Sequence, residues 1–223
     1  MRILPVLMLL TGLGAGVLLA RRDGPTSVTP HGVTTHGEYV AFANAKGDSV
    51  RAYVAYPERQ GKAPAIIVIH ENRGLTDWEP TVADEYAKKG YVAIAPDLLS
   101  SRYGSAKALG DSVTRMIGTL KREDVVRDLD ATYEYIATRP ATNPDRIGTI
   151  GFCWGGGTVW NYAASNSKLK AAVVCYGPLA DTALLRTVKA PVLGVYGQND
   201  GRVNNSLPQV AEMMKTLGKS FVA

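Results

Sequence analysis

From residue 63 onward, short apolar runs alternate with longer amphipathic segments. The run APAIIVIH (63–70) is apolar without interruption, which is typical of a strand buried on both faces of a parallel sheet. The helical segment PTVADEYAKKG (80–90) follows it and ends at a glycine. The alternation predicts an α/β fold with right-handed crossovers. Its later members are strands at 91–97, 146–150, 169–177 and 190–197, and helices at 122–140, 155–165 and 205–218.

Both ends of this region carry further predicted strands. EYVAFANA (38–45) and VRAYVAYP (50–57) are separated by the turn-like KGDS, which predicts an N-terminal antiparallel hairpin on a mostly parallel, doubly wound sheet. KSFVA (219–223) opens another strand. We therefore expect a domain over 38–223 that is incomplete at its C-terminus, with the last strand and helix missing.

The first 37 residues are expected to stand apart from this domain. Arg2 precedes an apolar run over 3–20, as in a signal peptide, although Leu18 makes the cleavage site imperfect. An uncleaved membrane anchor held by Arg21 and Arg22 is the main alternative for residues 1–22, and a buried helix is a third. Residues 23–37, rich in Gly, Pro, Ser and Thr, are predicted to be a linker. Export to the periplasm or medium is the expected localisation.

The composition is that of an ordinary globular protein. The 223 residues are 46% hydrophobic and 20% charged, and one large domain is expected. The net charge of +5 is scattered, with its densest cluster in LARR at 19–22. No basic stripe is interleaved with aromatic residues, so the sequence argues against a nucleic-acid partner.

A cysteine occupies the turn between a predicted strand and a predicted helix. In GFCWGGG (151–157), Gly151 and Gly155 frame Cys153 in the G-x-C-x-G pattern of a nucleophile elbow. At the head of a helix, the dipole and free amides favour a thiolate. Two alternatives stay open: a buried structural cysteine in a tight turn, or a disulfide with Cys175.

Two other strand ends carry candidate partners for this thiol. Asp200, in GQNDGRVN after the strand at 190–197, has the order and place of a triad acid, although an Asx-turn residue is the alternative. HENRGLTDW (70–78) follows the first buried strand, where the amide of Asn72, together with that of Trp154, is a candidate oxyanion donor. Glu71 is a candidate base for the thiol, or a solvated carboxylate paired with Arg73.

HENRGL, GYVAIAPDLLS, GFCWGGG and YGQNDGRVN, in this order and at these intervals, resemble the dienelactone hydrolases (carboxymethylenebutenolidases) of the α/β-hydrolase superfamily over residues 38–223. The resemblance implies an α/β-hydrolase fold and hydrolysis of a lactone or other carboxylic ester through an acyl-cysteine, without metal or cofactor. It implies that Cys153 is the nucleophile, Asp200 the acid that orients a histidine, and Glu71 the base. It also implies that Arg102 holds a substrate carboxylate, although Arg102 is offset by one residue from the family position.

The resemblance also implies a catalytic histidine after Asp200, which this sequence does not contain. The histidines are His31 and His36, both in the predicted linker, and His70. Because side chains alternate along a strand, the side chain of His70 should point away from that of Glu71. We expect His70 to be structural, and the chain to be either a fragment or a natural short form with little esterase activity. A broader esterase or peptidase of the same fold and a non-catalytic thiol protein remain the alternative functions.

Overall fold

The computed structural model describes residues 34–179 and 181–223. Each predicted apolar run forms a strand of one eight-stranded sheet. The strands are β1 (Thr35–Ala43), β2 (Ser49–Pro57), β3 (Ala63–Ile69), β4 (Val92–Asp97), β5 (Thr142–Phe152), β6 (Ala171–Cys175), β7 (Val192–Val195) and β8 (Phe221–Val222). The helices are α1 (Trp78–Lys88), α2 (Ser100–Tyr103), α3 (Ala106–Leu109), α4 (Val113–Ile117), α5 (Arg122–Ala137), α6 (Trp154–Ser165), α7 (Gly201–Asn204) and α8 (Leu207–Thr216).

The sheet has the strand order β1-β2-β4-β3-β5-β6-β7-β8. β1 pairs antiparallel with β2, and β2 with β4, while all pairs from β4 to β8 are parallel. The predicted sheet, mostly parallel with an N-terminal antiparallel hairpin, is therefore confirmed. KSFVA does form a strand, because Phe221–Val222 pairs with β7 as β8.

Helices cover the two faces of the sheet, as a doubly wound arrangement requires. On one face α1 packs through Ala83 and Ala87 against alternate residues of β3 and β4, including Ile66 and Ala93. On the other face α5, α6 and α8 pack through residues such as Leu129. The central strands are buried on both sides, which explains why β3 is apolar without interruption.

The structure corrects two details of the sequence prediction. β1 begins at Thr35, inside the predicted linker, because residues 35–43 pair in register with β2. His36 therefore lies on a strand, where its Nδ1 is 2.5 Å from the Glu58 carboxylate. Residues 98–121, where no element was predicted, hold α2, α3 and α4 together with a 3₁₀ turn at Gly110–Ser112.

The predicted signal segment (1–22) and the linker up to residue 33 lie outside the described residues. Within the part that the structure describes, no helix combines the length and hydropathy needed to cross a membrane.

The register of the parallel strands brings the chemically interesting loops to one edge. Ile69 of β3 is level with Gly151 of β5, and Phe152 is level with Cys175 of β6 and, through it, with Val195 of β7. The segments that follow these strands therefore leave the sheet side by side. At this carboxyl edge, open α/β sheets place their ligand sites.

Candidate active site

Cys153 lies on a strained turn at the head of α6. It is the residue between β5 and α6, with φ 53° and ψ −113°, a conformation that non-glycine residues rarely adopt. Its N–H donates a hydrogen bond of 3.0 Å to the Cys175 carbonyl oxygen, which ties the turn to the end of β6. The residue is half-buried. The local geometry is that of the predicted nucleophile elbow.

The flanking glycines are required by the close approach of the turn to its neighbours. A Cβ at Gly155 would lie 2.4 Å from the His70 carbonyl oxygen and 2.5 Å from that of Ile69. A Cβ at Gly151 would lie 2.3 Å from the Gly155 carbonyl oxygen. Since real Cβ atoms do not come within 3.0 Å of such atoms, the G-x-C-x-G pattern is a packing requirement of this turn.

Glu71 lies one strand away from Cys153, two residues past the last paired residue of β3. Its Oε1 accepts a 2.6 Å hydrogen bond from the Tyr176 hydroxyl. The ion pairs among the described residues include none between Glu71 and Arg73, so the alternative of a surface salt bridge is not realised. Among the residues that the structure describes, no hydrogen bond joins the Glu71 carboxylate to the Cys153 sulfur.

His70 is structural, as predicted. Its ring is fully buried and stacks on Trp154, with 5.3 Å between the ring centroids. The Leu98 N–H donates to Nε2 at 3.3 Å, so the ring proton resides on Nδ1, which donates to the Glu71 carbonyl oxygen at 2.7 Å. Burial lowers the pKa of His70, so the ring is neutral. It fixes the backbone of Glu71 instead of accepting a proton from a substrate.

The two predicted oxyanion donors follow the neighbouring strands β3 and β5. Trp154 is the first residue of α6, and Asn72 is an exposed residue of the loop after β3. Over residues 34–179 and 181–223, neither backbone N–H donates to a protein acceptor. Both amides are therefore available to a bound group.

Asp200 follows β7 and precedes α7. Its side chain is 31% exposed and contacts the guanidinium of Arg202 at 3.4 Å. The carboxylate makes no cap hydrogen bond to α7, so the alternative of an Asx turn is not realised. β7, the strand that precedes Asp200, lies two strands from β5, which leads into Cys153.

Arg102 lies on α2, where its guanidinium forms an ion pair with Asp124 of α5. Arg127 also pairs with Asp124, and Lys46 lies 4.0 Å from it. The guanidinium of Arg102 is thus engaged with a protein carboxylate. Its predicted contact with a substrate carboxylate stays a prediction.

The disulfide kept as an alternative for Cys153 does not form. Both cysteines are free, and Cys175 is buried in the cluster that packs under α1. Burial raises the pKa of the Cys175 thiol to about 12. Of the two thiols, only that of Cys153 is at the surface of the carboxyl edge.

Tyr176 was not singled out from the sequence, although it contacts Glu71 directly. It follows β6 as Cys153 follows β5, and it has a left-handed φ of 42°. Its position directly after an apolar strand, in VVCYG, was the available signal, because strand ends at this edge carry the chemistry.

Comparison with known proteins agrees with this geometry. The model of the dienelactone hydrolase family matches residues 50–222. A protein of Yersinia pestis named "Putative carboxymethylenebutenolidase" is 34% identical over 209 residues, which cover 86% of this chain and 75% of the relative. A relative of the same name in Escherichia coli is 35% identical over 193 residues, covering 80% and 68% of the two chains.

Solved structures give the same result. The crystal structure titled as a putative dienelactone hydrolase from Klebsiella pneumoniae superposes with a TM-score of 0.77 at 28% identity, over 84% of this chain and 83% of that one. The residues matched by the family model run from the hairpin strand β2 to β8. This chain therefore belongs to the dienelactone hydrolase family and is a carboxylic ester hydrolase of the α/β-hydrolase fold.

Proposed function

We propose that the chain cleaves a small lactone or other carboxylic ester through an acyl-cysteine intermediate on Cys153. The observation that carries this proposal is the position of Cys153, a half-buried residue at φ 53° directly before α6. The strained conformation holds the side chain at the carboxyl edge of the sheet, and strain of this kind is concentrated at functional sites.

In the first step, Glu71 takes the proton of the Cys153 thiol and the thiolate attacks the ester carbonyl carbon. A C–S bond forms, and the carbonyl oxygen becomes an oxyanion that accepts hydrogen bonds from the Asn72 and Trp154 amides. The oxyanion then collapses, the bond from carbon to the alkoxy oxygen breaks, and the alkoxide takes up the proton. Water hydrolyses the thioester in the second step, releasing a carboxylic acid and restoring the thiol.

Deacylation is the step that this 223-residue chain is expected to perform poorly. The proposed role of Asp200 is to orient a histidine, yet the histidines of the sequence are His31, His36 and His70. His70 is buried with both ring nitrogens occupied, and His36 lies on β1 at the far edge of the sheet. Loss of one triad member from comparable enzymes lowers turnover by several orders of magnitude.

The experiment is intact-protein mass spectrometry after incubation with an activated ester such as p-nitrophenyl acetate. We expect one acetyl group on the parent chain, located on Cys153 by peptide mapping, with little steady-state release of p-nitrophenol. Cys153→Ala is expected to remain unmodified, and Cys175→Ala, the matched control, to be acetylated like the parent. Acetylation of Cys153→Ala would overturn the assignment of the nucleophile. Rapid turnover that depends on Cys153 would overturn only the proposal of impaired deacylation.

A parallel assay separates the substrate classes. A lactone and a peptide substrate are incubated with the chain, and we expect acylation by the lactone alone. Acylation by the peptide at a comparable rate would contradict the proposed ester specificity.

The proposal of export concerns the N-terminal 22 residues. Expression of the full chain followed by fractionation and N-terminal sequencing is expected to give a processed protein outside the cytoplasm. Recovery of the intact N-terminus from the cytoplasmic fraction would contradict it.

A further inference from the structure

We propose that Tyr176 is a positioning residue whose phenol holds the Glu71 carboxylate at the site of Cys153. The inference rests on the proposed role of Glu71 as the base for that thiol. Tyr176 and Glu71 are 105 residues apart in sequence, and the 2.6 Å bond between them is made by the tertiary structure alone.

Backbone strain is the first observation that singles out Tyr176. In the described part of the chain, Cys153 and Tyr176 are the non-glycine residues with a left-handed φ, at 53° and 42°. They follow neighbouring strands, and the hydrogen bond from the Cys153 N–H to the Cys175 carbonyl oxygen places them side by side. Two adjacent strained residues at one strand edge indicate that both side chains are held in place for function.

The turn at Tyr176 is locked on both sides. The Tyr176 N–H donates to the Val195 carbonyl oxygen at 2.8 Å, which joins it to β7. Gly177 packs on the first turn of α6 so closely that a Cβ there would lie 2.2 Å from backbone atoms of Gly156 and Gly157. The backbone at Tyr176 therefore cannot shift without displacing α6, which begins at Trp154.

The direction of the phenol is the third observation. Glu71 follows β3 and Tyr176 follows β6, while β5 with Cys153 lies between these two strands. The hydrogen bond therefore crosses over the end of the strand that carries the thiol. Burial, followed by the Glu71 carboxylate, raises the pKa of the Tyr176 phenol, so the hydroxyl keeps its proton and donates it at neutral pH. Among the described side chains, Tyr176 is the hydrogen-bond donor to this carboxylate.

A hydrogen bond to an ionised carboxylate stabilises the ionised form and restricts its rotation. With Oε1 engaged by Tyr176, the second oxygen of Glu71 is the one left for the thiol. Removal of the phenol hydroxyl withdraws this hydrogen bond and leaves the carboxylate free to rotate away from the thiol, so that it accepts the thiol proton less readily. The consequence is a thiol whose reactivity begins at higher pH.

The test is the pH dependence of Cys153 alkylation by iodoacetamide, which requires no ester. We expect Tyr176→Phe to move the acidic limb of the profile to higher pH by about one unit. Glu71→Asp, which withdraws the carboxylate and leaves the tyrosine turn intact, is expected to move the limb in the same direction. Tyr91→Phe is the matched control, since the Tyr91 hydroxyl is buried without a hydrogen-bond partner, and its profile should coincide with that of the parent.

A double-variant cycle with Glu71→Gln completes the test. In that background, Tyr176→Phe is expected to leave the profile unchanged, because the carboxylate on which it acts is absent. An unchanged profile for Tyr176→Phe alone, or an equal shift in both backgrounds, would overturn the proposal. Because alkylation is scored without an ester, failure here is distinct from failure of Cys153 to form an acyl-enzyme.

Discussion

Replacement of Gly155 by alanine tests whether the elbow is held by backbone packing. The new Cβ would lie 2.4 Å from the His70 carbonyl oxygen, whereas ordinary van der Waals contact begins at 3.4 Å. The obstructing carbonyl oxygens of Ile69 and His70 belong to the backbone at the end of β3 and just after it, so no side-chain rotation relieves the overlap, and α6 must move away from the sheet. Overpacking of this kind costs about 3 kcal/mol, and the better helix propensity of alanine recovers about 1 kcal/mol, for a net loss of about 2 kcal/mol.

The assay is urea unfolding followed by tryptophan fluorescence, with thermal melts in parallel. A loss of about 2 kcal/mol corresponds to a fall in Tm of about 4–8 °C for a domain of this size. Gly201→Ala is the matched control: Gly201 begins α7, has nothing within 4 Å of its Cβ direction, and should change stability by less than about 0.5 kcal/mol. If Gly155→Ala unfolds within about 0.5 kcal/mol of the parent, or if the control loses as much, the packing argument is wrong.

The remaining predictions concern individual buried groups. Iodoacetamide at neutral pH should label Cys153 and spare Cys175, because burial raises the pKa of Cys175 to about 12. Peptide mapping that finds Cys175 modified first would contradict this prediction. Burial lowers the pKa of His70, so the unfolded chain binds a proton on this imidazole more readily than the folded chain does. The free energy of unfolding should therefore fall as the pH drops through about 6.5, by at most about 1.4 kcal/mol per pH unit. Urea titrations at several pH values measure this slope, and His70→Gln should reduce it; an unchanged slope would exclude His70 as its source. Asp97→Ala removes the acceptor of two buried backbone N–H groups and should cost about 3 kcal/mol in urea unfolding, whereas a loss below about 0.5 kcal/mol would show that other acceptors replace it.

The local elements of the fold were predictable because their signals lie within short windows of sequence. A strand such as β3 is apolar without interruption since both its faces are covered, and the glycines around Cys153 are required by contacts that any tight strand-to-helix turn makes. The short helices α2 to α4 were missed. They are only four or five residues long, and helices of that length have too few turns to show a periodicity.

The positions of the candidate site residues were predictable, and their contacts were not. Cys153, Glu71 and Asp200 were identified because each follows the end of a predicted strand, and parallel strands end at one edge. Which atoms meet there was not predictable, since hydrogen bonds and ion pairs depend on distances between residues far apart in sequence. The partner of Glu71 is Tyr176, and that of Arg102 is Asp124.

By itself, then, the sequence determined the α/β alternation, the elbow at Cys153 and the family of the protein. These follow from hydrophobic periodicity and from steric limits on a few consecutive residues, and both are local properties. The tertiary structure decided that Glu71 is held by a tyrosine from two strands away and that His70 serves the core as a neutral, stacked ring. It decided this because strand order and register, which no local pattern specifies, determine which side chains share the edge of the sheet.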